Sequence, residues 1–376
     1  MSFTLQILFW LSIFLILYAY VGYPLLLKAI SLIHSKSVHK SIIFPPVSFI
    51  ITAHNEESSI KSKIENTLSI DYPKEKLQVI VASDASDDDT DRCVREYADQ
   101  GVELVRTPDR KGKENAQKHA LDKARGEILV FSDVATILKP DALKHIVSNF
   151  SDSSVGCVSS VDRFIDTDGN LSGEGAYVRY EMLLRRLESR VNTLVGLSGS
   201  FFAARRTVCQ NWRIDLQSDF NTVLNSIKMD LRGVSDQHSI GYYKNLDNPQ
   251  KESDRKLRTV VRGITVFMSN LSLLNPFAYG LFSWQLASHK LCRWLVPLFL
   301  LIALLANALL IPYARFYRIA FVMQACFYGL GIFCRNCRIS WLNLPHYFLS
   351  VNGAVLHAWL HYFRGIRFTY WSPSER

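Results

Sequence analysis

The chain has 376 residues, is 48% hydrophobic and carries a formal charge of +9, which leaves room for one sizeable soluble domain together with several membrane segments. Its basic residues are dispersed and build no single stripe or face, which excludes a nucleic-acid footprint. The 7 cysteines are odd in number and widely scattered, which excludes a disulfide framework and suits a reducing cytosol.

Residues Met1–Leu27 carry no charge, and a bilayer core needs about 17–25 apolar residues per helix. This run lacks an early basic region and a small-residue cleavage site, so 1–34 reads as a retained transmembrane anchor. Lys28, Lys36 and Lys40 follow it and predict that the next block lies in the cytosol.

That block, 44–263, is polar and rich in carboxylates. Val47–Thr52, opening after Pro45-Pro46, reads as a buried strand. Ser58–Ser69 has helical spacing, with Ile60, Ile64 and Leu68 on one face. Leu77–Ala82 is the next strand and runs into the acidic turn Ser83–Thr90. A helix is expected to about Gln100, a short strand at Val102–Val105, a helix at Asn115–Ala124 closed by Gly126, and a strand at Ile128–Phe131 ending in Ser132-Asp133.

Strands alternating with helices predict an α/β fold, a mostly parallel sheet flanked by helices. Ligands of such sheets collect beyond the carboxyl ends of the strands, where Thr52–Glu57, Asp84 and Asp133 fall. A second helical stretch is expected over 174–193, followed by the small-residue loop Gly196–Ser200.

Gly263–His289 is uncharged but contains Asn270, Asn275 and Pro276, so 264–292 reads as a membrane-interfacial helical segment. Trp294–Ala314, Ile319–Cys334 and Ile339–Phe363 are uncharged. The first and last are long enough to span, the middle one is marginal, and 293–364 is read as C-terminal transmembrane helices. Cys334 and Cys337 form one CxxC beside a membrane segment, read as membrane-edge packing and not as a zinc site. The arginine-rich tail, 365–376, is expected in the cytosol.

The chemistry lies in the polar block. Asp133 has the position and charge to hold a hard divalent cation, and Mg²⁺ takes only one or two carboxylates besides substrate phosphates. Asp84 and Asp219 are further candidates. Each of the three, taken singly, reads first as a turn or cap residue. Lys111 and Lys113 flank Gly112 ahead of a helix, an arrangement that brings backbone amides and cations toward an anion. Arg255 and Arg258, three apart, share a helical face that is either solvated or a phosphate clamp. No P-loop, G-x-G-x-x-G, H-E-x-x-H or G-x-S-x-G is present, so ATPase, Rossmann dehydrogenase, zinc protease and α/β-hydrolase readings lose their support.

Taken in order, these segments resemble a membrane-bound family 2 glycosyltransferase with the GT-A fold, of the kind found in exopolysaccharide and surface-glycan synthesis. The resemblance rests on Ile50–Glu57, Asp71-Tyr72-Pro73, Ser83–Thr90, Arg110–Lys113, Ala124–Glu127, Phe131–Thr136, Pro140–Leu143, Ser218-Asp219-Phe220 and Arg255–Gly263. It implies that Thr52, Asn55 and Glu57 receive the nucleotide and that Asp84 bonds the base. Lys113 approaches the donor, Arg255 and Arg258 face the diphosphate, and Asp133 is the first carboxylate of a D-x-D site for Mg²⁺ or Mn²⁺. Asp219 is the general base that deprotonates the acceptor hydroxyl.

The implied activity is inverting transfer of a hexosyl or acetylhexosaminyl group. The donor is a nucleotide-diphosphate sugar, most commonly a UDP-sugar, and the acceptor a membrane-associated, lipid-linked glycan. The implied location is the plasma (inner) membrane of a bacterium.

Three positions depart from the family pattern. The second D-x-D carboxylate is Ala135, with His238 as a weak replacement ligand; Ser218 precedes the base where an acid is usual; and Thr259 stands where processive synthases carry Trp. The last favours addition of a single sugar over processive synthesis of the cellulose, hyaluronan or poly-N-acetylglucosamine type. Ala135 and Ser218 motivate a reading from another class, a catalytically degenerate scaffold of a glycan-assembly complex.

Overall fold

The computed structural model describes residues 2–165, 176–244, 249–333 and 343–368. Cys334, Cys337 and the tail beyond 368 lie outside the described residues. The chain divides into two compact units: Ile30–Glu252 with Thr265–Leu273 forms most of one, and Met1–Ala29, Ser253–Ile264 and Leu274–Arg367 form the other.

Among the described residues the first unit is built on eight strands: β1 (Val47–Ala53), β2 (Leu77–Ser83), β3 (Val102–Arg106), β4 (Ile128–Asp133), β5 (Ile137–Leu138), β6 (Val155–Ile165), β7 (Phe201–Arg205) and β8 (Arg232–Lys244). Their order in the sheet is β3-β2-β1-β4-β7-β6-β8-β5. β3, β2, β1 and β4 are parallel to one another, as are β6 and β8, whereas β7 runs antiparallel to both β4 and β6, and β5 to β8. The expected parallel sheet is therefore the first half of a mixed one.

β1 is buried along its whole length, as a strand covered on both faces must be. Its alternation feeds two cores. Phe49 and Ile51 pack on the face that holds Ile60, Ile64 and Val94, while Ile50 faces Ala116 and Ala120 of the helix Lys113–Lys123 and Ala124 just beyond it. The chain moves from β1 outward to β2 and β3, then returns to add β4 on the other side of β1. That reversal opens a crevice outside the carboxyl ends of β1 and β4. Thr52 is the register partner of Asp133 at this point, and of Ala82 on the other side.

The second unit is helical. Ser2–Ile33, Leu281–Leu310 and Arg315–Phe333 are long and apolar enough to cross a membrane. The first is a continuous helix with a π turn at Tyr18–Gly22. Phe3, Trp10, Phe14, Leu305, Val322 and Met323 are exposed along these helices, an apolar outer surface that suits lipid.

Two sequence expectations change here. Leu281 begins a helix that continues through Lys290 and Arg293 to Leu310, so part of the supposed interfacial segment belongs to the apolar helix. Gly280, at φ 52°, separates it from the short helix Pro276–Tyr279. Lys290 lies over the Trp294 ring and Arg293 over that of Tyr20, contacts that let charged residues reside within the helix. Ile319–Cys334, expected to be marginal, overlaps Arg315–Phe333, one of three candidates among the described residues, whereas Asn343–Phe363 is helical but is not one. Asn343, His346, Asn352, His357 and His361 lower the hydropathy of that last helix.

Candidate active site

The carboxyl end of β1 is tied to the acidic turn after β2. Asn55, in the left-handed region at φ 53°, accepts from Asp87 N at 3.0 Å through Oδ1 and donates its own N–H to Ser86 Oγ at 3.2 Å. Glu57 N donates to Asp88 Oδ2, and Glu57 Oε2 accepts from Asp89 N at 3.0 Å. The family resemblance implies one nucleotide-receiving loop that holds Thr52, Asn55 and Glu57 together. Thr52 instead belongs to β1, fully buried, because the strand runs on through Ala53. Its Oγ1 has no hydrogen-bond partner among the described residues.

Asp84 is also fully buried. Its Oδ1 accepts from Lys111 N at 3.0 Å and its Oδ2 from Gly112 N at 2.8 Å. The carboxylate thus holds the loop that starts the helix Lys113–Lys123, at the end where the helix dipole favours negative charge. Gly112 sits at φ 98°, a conformation open to glycine and strained for other residues.

This grip aims Lys113 at the crevice. Its Nζ donates to Asp133 Oδ1 at 2.5 Å and to the Gly199 carbonyl at 3.0 Å. The Lys113 side chain is 10% exposed and that of Asp133 is 26% exposed, so the carboxylate retains an open side. Asp133 N in turn donates to the Ser200 carbonyl at 3.0 Å.

The Ser198–Ser200 loop is pinned from behind by Asp162, whose Oδ1 accepts from Ser198 Oγ at 2.6 Å and from Ser200 Oγ at 2.7 Å. Asp219, in the first turn of the helix Ser218–Lys228, is mostly buried and accepts from Phe220 N at 2.7 Å and from Gln217 Nε2 at 3.2 Å. A β-carbon at Gly199 would stand 2.7 Å from Asp219 Oδ2. Lys113, Asp133 and Asp219 therefore converge on one glycine: a cation and one carboxylate on its carbonyl side, the second carboxylate against its α-carbon.

Lys63 is not among the residues that the sequence motifs single out. It lies on the apolar face of the helix Ile60–Leu68, with Ile60, Ile64 and Thr67. Its Nζ donates to Ser132 Oγ at 2.8 Å and to the Thr136 carbonyl at 2.6 Å. Burial pushes its pKa down to about 7, against the pull of Asp133. A lysine in register with buried isoleucines was a visible signal.

Asp162 was missed as well, and its partners lie too far along the chain for spacing to reveal them. His238 is exposed on β8 beside His145, ring centroids 5.4 Å apart. Among the described residues no group of three or more His, Cys, Asp or Glu forms that could hold a metal. Arg255 and Arg258 belong to the helix Pro249–Met268, within the second unit. Burial, then the nearby Arg262 and Arg255, hold the Arg258 guanidinium below its usual range.

The family model described as glycosyl transferase family 2 matches residues 48–213, the segment that supplies β1, β2, β4, Lys113, Asp133 and Gly199. Residues 48–213 are a family 2 glycosyl transferase domain. An alignment of 195 residues relates the chain at 25% identity to the poly-beta-1,6-N-acetyl-D-glucosamine synthase of Staphylococcus aureus (strain COL), covering 50% of this chain and 46% of that protein. The synthase of the same name from Staphylococcus epidermidis is 23% identical over 189 residues, 48% of this chain and 45% of the relative. The chain spans about half the length of the curated relatives it matches.

A solved structure of the mannosyltransferase PcManGT from Pyrobaculum calidifontis, in complex with GDP-Man and Mn²⁺, is similar over 95% of this chain and 99% of its own, with a TM-score of 0.75 and 22% identity. The family 2 domain has the GT-A fold, a mixed sheet with flanking helices.

Proposed function

We propose that the chain is an inverting glycosyltransferase that moves a sugar from a nucleoside-diphosphate donor to a membrane-associated, lipid-linked glycan, in the synthesis of an exopolysaccharide or other surface glycan. The observation that carries this reading is the convergence of Lys113, Asp133 and Asp219 on Gly199 at the reversal point of the sheet.

An acceptor hydroxyl is a poor nucleophile, and a carboxylate within reach can take its proton; Asp219 has that role. The departing diphosphate gathers negative charge, and preorganised cations stabilise it; Lys113 has that role. One base and one direct displacement invert the anomeric centre. Asp84 acts through the loop it holds and keeps Lys113 on station.

The donor set suits a hard divalent cation held chiefly by phosphates. Asp133 offers one partly exposed carboxylate and Ala135 offers none, within the one or two that Mg²⁺ typically takes. Mg²⁺ or Mn²⁺ bound by Asp133 would neutralise leaving-group charge. The Mn²⁺ of the Pyrobaculum complex supports that choice. The lysines after the first apolar helix support a cytosolic catalytic domain, and the staphylococcal relatives support a bacterial plasma membrane. The same relatives, named as polymer synthases, favour a second reading in which transfer is repeated on one growing chain.

The test is nucleotide release by the detergent-purified full chain, screened against UDP- and GDP-sugars with Mn²⁺ or Mg²⁺ and an acceptor-containing membrane extract. Release from one donor, lowered about 10²–10⁴-fold by Asp219→Asn, is the expected result. Equal release by the variant would remove Asp219 from the chemistry. Absence of both release and donor binding would turn the assignment toward a scaffold.

A further inference from the structure

Lys63 presents a problem that the proposed reaction does not by itself solve. Its side chain is buried in an apolar setting, its ammonium 5.6 Å from the centre of the Phe49 ring and flanked on its own helix by Ile60 and Ile64. A buried ammonium is costly unless paired with an opposite charge, and a methionine or leucine would fill the same space. Yet among the described residues its hydrogen bonds go to neutral acceptors, Ser132 Oγ and the Thr136 carbonyl.

Those two acceptors bracket Asp133. Thr136 N also donates to the Asp133 carbonyl, and Thr136 Oγ1 to the Ser200 carbonyl that accepts from Asp133 N. The turn 132–136 is thus closed from beneath by one ammonium, while Lys113 holds Asp133 Oδ1 from the crevice side. Asp133 lies between two cations, one facing the crevice and one sealed in the core.

We propose that Lys63 is a positioning residue for Asp133: its buried charge fixes the turn 132–136 and adds positive potential under the seat of the donor diphosphate. The idea rests on the glycosyltransferase reading, since it gives the charge a diphosphate to act on. It accounts for a cation where packing alone calls for an apolar side chain. It also answers the missing carboxylate at Ala135: with one acidic ligand, the site has little negative charge of its own, and an additional cation behind it strengthens its hold on an anion.

Two variants separate charge from packing. Lys63→Met fills the apolar space without a donor, and Lys63→Gln keeps polar reach without charge. The probes are UDP and GDP, each titrated calorimetrically with Mn²⁺ into the detergent-purified full chain at about pH 6, where Lys63 is protonated, alongside thermal melting. The proposal expects both variants to melt no lower than the parent and to bind the nucleotide about ten-fold or more weakly, through a looser turn 132–136 and the loss of one positive charge behind it. Nucleotide binding by Lys63→Gln within about two-fold of the parent would overturn it and leave Lys63 a structural prop. Melting and binding lost together in Lys63→Met, with Lys63→Gln normal in both, would overturn it equally. Failure of the parent chain to bind either nucleotide would instead strike the glycosyltransferase reading.

Discussion

Gly199 and Asp219 occupy one space: a β-carbon added at Gly199 would lie 2.7 Å from Asp219 Oδ2, the one side-chain group among the described residues that it would meet that closely. The obstructing atom ends a side chain and is not backbone, so an alanine can be admitted by turning the carboxylate aside. Gly199→Ala should therefore fold, with a stability change below about 1 kcal/mol. Turnover should fall by about 10²-fold, the scale expected when a reacting group moves by about 1 Å. Nucleotide release compared with the melting temperature checks this, and a variant that loses stability but not turnover would detach Gly199 from the base.

Lys113 makes a different contribution. Its ammonium is shared between Asp133 Oδ1 and the Gly199 carbonyl, so it both orders the crevice and supplies positive charge there. Lys113→Met is expected to lower turnover about 10²-fold, the usual cost of one preorganised donor at a developing oxyanion. Donor affinity should weaken as well. Titration of the variant with nucleotide and Mn²⁺, followed by steady-state release, separates the two effects. Unchanged values in both would show that the Lys113–Asp133 pair is only structural.

Asp84 tests the scaffold beneath them. Both carboxylate oxygens accept backbone N–H groups from 111 and 112, and Asn has only one acceptor to offer. Asp84→Asn leaves a buried amide unsatisfied, at about 1–3 kcal/mol, and turns an amide NH₂ toward it. The variant should melt several degrees below the parent and lose turnover indirectly, through a displaced Lys113. Full stability in the variant would contradict the grip described for this loop.

How much of this was legible in the sequence depends on the range of the interaction. β1 is legible as a β-branched run opening after Pro45-Pro46, because a strand covered on both faces needs no partner to declare itself. The helix Lys113–Lys123 was expected two residues late, since its start is set by Gly112 and by Asp84, 28 residues earlier. β6, β7 and β8 were not anticipated. β6 carries Ser159, Ser160 and Asp162 in its interior, and those polar groups make sense only beside Ser198, Ser200 and Phe201. At the site, Asp133, Lys113 and Asp219 were named from motif order. Their convergence on Gly199 was not, because it depends on β7 pairing with β4.

Lys63 gives the fold a pH dependence of defined sign. Burial lowers its pKa to about 7 from an ordinary 10.5, so between those values the unfolded chain binds a proton that the folded chain does not. Stability rises with pH wherever the unfolded state binds more protons. The cost of the buried ammonium is therefore present in full below about 7 and fades as pH climbs toward about 10.5. Lys63→Met removes the group and with it this slope. The variant should melt above the parent at about pH 6, and the difference should shrink by about pH 9. Melting curves of both proteins in the same detergent at those two values decide the point. A difference that stays constant, or grows, would mean that Lys63 is not held as a costly buried cation. The shared slope of the remaining groups cancels in the comparison, so what is left reports on the charge beneath Asp133.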